Sequence, residues 1–319
     1  MYLNCHTYYS FKFGALSTED LLAEAQSKGV SKFVLSDINN TSAILDFHRL
    51  AKKYNVQPVA GIDFRNGVQQ KFIGIAKNHE GFFELNNFLS KCLHEVKESM
   101  TARETEIPDL APSFQNAFIV YPFKNVERNP VLHEHLIRDS THSSSGKVGV
   151  GLSDLNRLRF SPWKYHPEKL VALAPVTFRN KTDFNTHRLL RAIDRNIVLS
   201  KLELHEQALP DEVMMSEEEL CRYYKDFPHI ISNTKKLLDE CEPIDFEFGK
   251  NKNKKTFTGS AAGDSELLRK LCTDNLEYRY PKKETHIIER FNHEIKMITE
   301  LGFASYFLIN WDIVRYAQH

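Results

Sequence analysis

The chain has 319 residues, 41% of them apolar, and its 42 Lys+Arg balance 42 Asp+Glu to a formal net charge of zero. That is an ordinary globular composition, which excludes disordered and fibrous classes and gives no global signal for nucleic acid. No apolar run approaches the roughly 20 residues of a membrane-spanning helix, and Met1–Phe13 lacks the basic start and long apolar core of a secretory signal.

At roughly 150 residues per domain the length suggests about two domains. Met1–Cys5 reads as a short strand. Ser17 can cap a helix with Asp20 three residues on, and Gly29 sits where that helix should stop. Lys32–Asp37 is the next strand, followed by a helix over Thr41–Tyr54. Strands follow at Val59–Phe64 and Lys71–Ala76, then a helix over His79–Val96 with Phe82, Leu85 and Leu89 at helical spacing. Ala117–Tyr121, Lys147–Leu152 and Leu170–Ala174 are further strands. This alternation predicts parallel strands joined by crossover helices. Glu98–Pro112 and the Ser-rich Arg138–Gly146 interrupt it, so an irregular insertion is expected over about 98–146.

Beyond about residue 183 the pattern turns helical, over Asp183–Arg195, Ser216–Lys225, Pro228–Cys241, Ser265–Arg279, Thr285–Leu301 and Phe303–His319. We divide the chain into 1–200, an α/β unit, and 201–319, a helical segment, and read the lysine-rich Lys250–Lys255 as a linker. Cys5, Cys92, Cys221, Cys241 and Cys272 are odd in number and none lies in a C-x-x-C pair. Reduced thiols in a cytoplasm are the simplest reading.

In parallel α/β barrels the chemistry gathers where strands end. His6 follows the first strand, Asp37 ends the second, and Asp63 lies near the end of the third. One imidazole and two carboxylates could hold a divalent metal and activate water for phosphoester hydrolysis. A structural alternative stands beside each: Asp37 organising the turn before the next helix, and Asp63 pairing with Arg65. His133 and His135 diverge on a surface helix. Gly259–Gly263 has the small residues of a phosphate cradle but lacks the Lys-Ser/Thr of a P-loop, so a linker with a helix cap is preferred. No Gly-x-Ser-x-Gly and no recognisable Cys/His pair supports a covalent nucleophile.

The stretches His6-Thr7-x-Tyr9-Ser10, Gly14-Ala15-x-Ser17-x-Glu19-x-Leu21, Leu35-Ser36-Asp37, Pro58-Val59-x-Gly61 and Ile75-Ala76-Lys77-Asn78-x-Glu80-Gly81 resemble the PHP (polymerase and histidinol phosphatase) domain. That domain opens the alpha subunit of bacterial DNA polymerase III. Glu247-Phe248-Gly249, Leu268-Arg269-x-Leu271-Cys272, Arg279-Tyr280-Pro281 and Gly302-Phe303-x-x-Tyr306-Phe307-Leu308-Ile309-x-Trp311-Asp312 are similar to the segment entering that family's polymerase palm. The resemblance implies a PHP-type distorted (βα)7 barrel over 1–200 and the opening of the palm over 201–319. It also implies a DNA-directed DNA polymerase of replication that uses Mg2+, acts on primer-template DNA and dNTPs, and meets a proofreading exonuclease and other replisome subunits. The family's polymerase aspartates fall beyond His319, so the chain reads as a truncated piece without that chemistry.

The departures from the family pattern are informative. The His-x-His motif is Asn4-Cys5-His6, Thr-Asp-His is Ser36-Asp37-Ile38, the third-strand Glu is Asp63, a later His falls on Lys71, and Asn-Asp-x-His falls on Ala174-Pro175-Val176-Thr177. His6, Asp37 and Asp63 thus remain from a larger Zn2+ or Mn2+ ligand set, and the metal is expected to be absent or weakly held. The expectation is a non-hydrolytic scaffold that packs on the polymerase body or a partner. The alternative is a metal-dependent phosphoesterase or 3'-5' exonuclease whose cluster is rebuilt by His133, His135 or His142.

Overall fold

The computed structural model describes residues 1–94, 107–138, 146–250, 255–282 and 284–318. By its contacts the chain divides into Met1–Phe248 and Gly249–His319. This division falls later than the one at 200/201 read from the sequence. The reason is packing: helices after residue 200 lie against the first unit's strands.

The first unit is built on a seven-stranded sheet in chain order: β1 (Tyr2–Cys5), β2 (Lys32–Leu35), β3 (Gln57–Asn66), β4 (Gln69–Ala76), β5 (Ala117–Pro122), β6 (Gly146–Val150) and β7 (Leu170–Ala172). The helices are α1 (Thr18–Ser27), α2 (Ile44–Ala51), α3 (His79–His94), α4 (Phe123–Arg128), α5 (Pro130–Arg138), α6 (Leu155–Leu158), α7 (Lys181–Arg195), α8 (Glu217–Tyr223) and α9 (Pro228–Asp239). The sheet curls until the stretch after β7 reaches β1, where His6 N–H donates to the Val176 carbonyl and Val176 N–H to that of Asn4, each at 2.9 Å.

Not all strands are parallel as expected: β4 runs antiparallel to both β3 and β5. Only Gly67 and Val68 separate β3 from β4. Two residues can turn a hairpin but cannot carry a crossover. Gly67, at φ 56°, supplies the left-handed backbone this turn needs.

Alternation along the strands makes two cores. Leu3, Val34, Val59, Ile73, Ile75, Phe118, Val120 and Val171 face the inside of the curl, closed by Leu237, Leu238 and Cys241 at the end of α9. Tyr2, Phe33, Ile62, Phe64 and Phe72 face the outer helices. Burial of the Cys241 thiol pushes it up to about 12 and keeps it protonated. The period of two then places Asp63 and Arg65 inward, beyond Val59 on the same strand.

In the second unit, α10 (Ala261–Arg279), α11 (Thr285–Glu300) and α12 (Ala304–Gln318) pack around Leu268, Ile295, Ala304 and Leu308. Ser260 caps α10 by accepting the Gly263 N–H, and the buried Asp264 accepts the Phe257 and Thr258 N–H groups and the Thr258 hydroxyl. The Gly259–Gly263 stretch is therefore a cap filled by the chain's own carboxylate. Asp264→Ala strands those donors and is expected to cost this unit about 2 kcal/mol, read as lost hydrogen-exchange protection at the start of α10. Most of Lys250–Lys255 lies outside the described residues.

Candidate functional site

The loop after β1 turns back on itself and is clamped by Asp37. The Asp37 carboxylate accepts the Thr7 N–H (2.7 Å), the Thr7 hydroxyl (2.7 Å) and the Ser10 hydroxyl (2.6 Å). Gly14 closes the loop, since a Cβ there would lie 1.7 Å from the Thr7 carbonyl oxygen. Asp37 is 1% exposed. Its burial pushes the carboxyl above its ordinary range, opposed by the bonds from Ser10 and Thr7 and by nearby His6. Asp37 therefore organises the turn after β1, not the turn before α2.

Asp63 and His6 meet on the inner face, both with no exposure. One oxygen of Asp63, Oδ2, receives Arg65 Nη2 at 2.7 Å, Arg65 Nε at 2.9 Å, Gln70 Nε2 at 2.9 Å, His6 Nε2 at 3.0 Å and Asn4 Nδ2 at 3.3 Å. Its Oδ1 is buried with no hydrogen-bond partner. Burial alone would raise this carboxyl. The Arg65 guanidinium and His6 overrule it and hold the group well below the usual carboxylate range. Arg65 also lies over the Phe13 ring, 4.8 Å from its centroid.

The other nitrogen of His6, Nδ1, is 3.0 Å from Thr177 Oγ1, and the Thr177 hydroxyl donates to Glu212 Oε2 at 2.6 Å. With its one proton committed to Glu212, Thr177 can only accept from Nδ1. Nε2 faces an Asp63 carboxylate oxygen at 3.0 Å, so both ring nitrogens have polar partners. Thr177, His6 and Asp63 have the spacing of a nucleophile, base and orienting acid. Thr177 is fully buried and its proton already points to Glu212, so no substrate carbonyl or phosphorus can meet it.

The structure thus brings His6 and Asp63 together and ties Asp37 into the adjoining loop. These residues do not fit a divalent metal. One Asp63 oxygen already holds a guanidinium, both His6 nitrogens face hydrogen-bond partners and the Asp37 oxygens are filled by the loop, which leaves the buried Asp63 Oδ1 as the single unengaged ligand atom of the three residues. Among the described residues no group of three or more His, Cys, Asp or Glu is placed to hold a metal ion. Nor do the other candidates join the cluster. Lys71 Nζ turns to Asp109 at 2.6 Å, His133 packs edge-on against Trp163 on α5, and His135 is exposed on that helix. His142 lies outside the described residues.

Sequence reading marked Asn4 and Thr177 only as places where family histidines are missing, and had no role for Gln70 or Glu212. The register could have found Gln70: it pairs with Arg65 across the hairpin, on the same face as Asp63. Thr177 stands where the family's Asn-Asp-x-His motif would place its histidine, whereas Glu212 carries no local signal. His187, also buried, accepts the Ala208 N–H at Nε2 and donates from Nδ1 to the Phe13 carbonyl. Burial lowers it to about 4, so it holds this loop as a neutral imidazole.

Residues 3–122 match the family model of the PHP domain, and residues 266–319 that of the bacterial DNA polymerase III alpha NTPase domain. The chain carries both regions, in that order. Along its whole length it aligns with DNA polymerase III subunits alpha. It is 22% identical over 360 residues to that of Borreliella burgdorferi and 22% over 357 residues to that of Escherichia coli O157:H7, covering 30% of each. It is also 23% identical over 350 residues to an error-prone DNA polymerase of Symbiobacterium thermophilum, of which it covers 32%. The chain thus spans about a third of the length of these relatives. Among solved structures, an amidohydrolase from Chromobacterium violaceum is similar over 52% of this chain and 83% of its own, at 12% identity and a TM-score of 0.30. No helix among the described residues is long and apolar enough to cross a membrane.

Proposed function

We propose that this chain is the N-terminal part of a DNA polymerase III alpha subunit, a DNA-directed DNA polymerase of cytoplasmic replication, and that its first unit is a non-hydrolytic scaffold. The relatives' names and the two matched regions support the first half. One observation carries the second: the Arg65 guanidinium sits on Asp63 Oδ2 at 2.7 Å, where a metal-dependent hydrolase needs an open ligand. Primer-template DNA, dNTPs and Mg2+ belong, on this reading, to nucleotidyl transfer elsewhere in the longer protein. A proofreading exonuclease or another replisome subunit is the kind of partner such a scaffold holds.

Chelation tests the scaffold. Protein purified without chelator is expected to contain no stoichiometric zinc or manganese by elemental analysis. Its melting temperature is expected to stay within about 1 °C on adding EDTA, because a ligand that does not bind the folded state cannot stabilise it. Stoichiometric metal, with a fall in melting temperature on its removal, would favour the phosphoesterase reading.

A further inference from the structure

Between β6 and β7 the chain runs through α6 and a short 3-10 helix, Pro162–Tyr165, in which buried anchors alternate with exposed rings and cations. Leu158, Ser161 and Trp163 are buried, while Arg157, Arg159, Phe160, Lys164 and Tyr165 are exposed. The anchors fix the backbone. Ser161 N–H donates to the Arg157 and Leu158 carbonyls at 3.1 Å, Ser161 Oγ accepts the Trp163 N–H, and His166 N–H donates to the Trp163 carbonyl at 3.0 Å. Trp163 is itself wedged between the His133 and His166 rings, both edge-on to it. Phe160, 88% exposed, and Tyr165, 73% exposed, therefore project from an ordered backbone and not from a loose loop tip.

Cations stand beside both rings. Lys164 Nζ lies 4.9 Å from the Tyr165 ring centroid and donates to the Arg159 carbonyl at 3.4 Å, so it reaches from Tyr165 to the peptide joining Arg159 and Phe160. Arg157 pairs with Glu127 and Arg159 with Asp226, yet the two guanidiniums stay 46% and 52% exposed. Exposed pairs of this kind are weak and screened by salt, and a phosphate accepts the same guanidinium fork as a carboxylate. Phe160 and Tyr165 are the only large apolar side chains exposed between Ser153 and Lys169, and each adjoins a cation. A protein-docking face gathers its apolar side chains into one patch. Rings set singly among cations suit a ligand in which flat π-faces alternate with negative charges.

We propose that this surface binds single-stranded nucleic acid, with unpaired bases stacked on Phe160 and Tyr165 and the strand's phosphates on Arg157, Arg159 and Lys164. It is separate from any site of nucleotidyl transfer, and it stands whichever way the chelation test falls.

The test is fluorescence anisotropy of the whole chain with a labelled oligothymidylate of about ten nucleotides, the matching strand of abasic sites, and polyglutamate as a competitor. Thymidylate is expected to bind saturably and more weakly as salt rises, and the abasic strand at least about fivefold more weakly. Phe160→Ala and Tyr165→Ala are each expected to weaken thymidylate about tenfold and, because both rings are exposed, to leave the melting temperature unchanged. Lys164→Gln is expected to weaken it about threefold and to lower the salt slope by about one. Phe11→Ala removes another exposed ring beside a lysine, in the loop after β1, and is expected to change nothing. The proposal is overturned by absence of saturable binding, by equal affinity for the abasic strand, or by wild-type affinity in both Phe160→Ala and Tyr165→Ala. It is also overturned if polyglutamate competes as strongly as unlabelled thymidylate, which would assign these cations to an acidic protein segment.

Discussion

Arg65→Met is expected to lower the unfolding free energy by about 3–5 kcal/mol, the usual cost of removing one partner from a buried ion pair. The side-chain volume is roughly kept, so the loss measures charge. Asp63 would remain fully buried with Asn4, His6 and Gln70 but without the guanidinium that offsets its desolvation. Arg65→Met with Asp63→Asn removes both charges and is expected to recover most of the loss. Denaturant melts of the single and double variants measure this. The pH dependence has a definite sign. Asp63 is depressed in the folded protein, so its contribution is complete above the unfolded carboxylate value near 3.9. It is lost as pH falls toward the lower folded value. Without Arg65 burial dominates, the carboxyl rises and takes up a proton more readily, so the gap between wild type and Arg65→Met narrows as the solution is acidified.

Asp37→Ala is expected to cost about 3–5 kcal/mol by a different route. It strands three donors that now share one carboxylate, the Thr7 N–H and the Thr7 and Ser10 hydroxyls, at about 1–3 kcal/mol for each that stays unsatisfied. The loop they close presents Phe11, 80% exposed, beside Lys12. Limited trypsin digestion at Lys12 should accelerate in Asp37→Ala. Asp37→Asn keeps one acceptor oxygen for Thr7 N–H and Ser10, while its amide can donate to the Thr7 hydroxyl oxygen. It should recover about half the loss. Equal damage from both variants would mean that the charge of Asp37, rather than its place in the loop, is what the fold requires.

Local signals were legible in the sequence because they are local. Ser17 accepts the Asp20 N–H as its position before an acidic first turn foretold, and Ser216 forms a full capping box with Glu219. The strands at Lys32–Leu35 and Ala117–Pro122 follow from compact runs of β-branched and aromatic residues. The direction of β4 was not drawn from its flanks, although Asn66-Gly67 is a hairpin signal. Asp37 pointed to the wrong turn because its three partners come from about thirty residues earlier in the chain. The Asp63–Arg65 pair was legible as a two-residue spacing on one strand face. Its closure by Asn4, Gln70 and His6, with Thr177 and Glu212 behind the imidazole, depends on curling distant strands together. The resemblance read from the sequence implied only that imidazoles are missing here; the structure shows the residues that occupy these positions.

The most direct test is a crystal structure of this chain grown with excess manganese or zinc and no chelator, with anomalous scattering recorded at the metal's absorption edge. The account predicts no anomalous peak among His6, Asp37 and Asp63, and the Arg65 guanidinium still on Asp63 Oδ2. A metal ion bound to His6 and Asp63, with Arg65 swung aside, would contradict it.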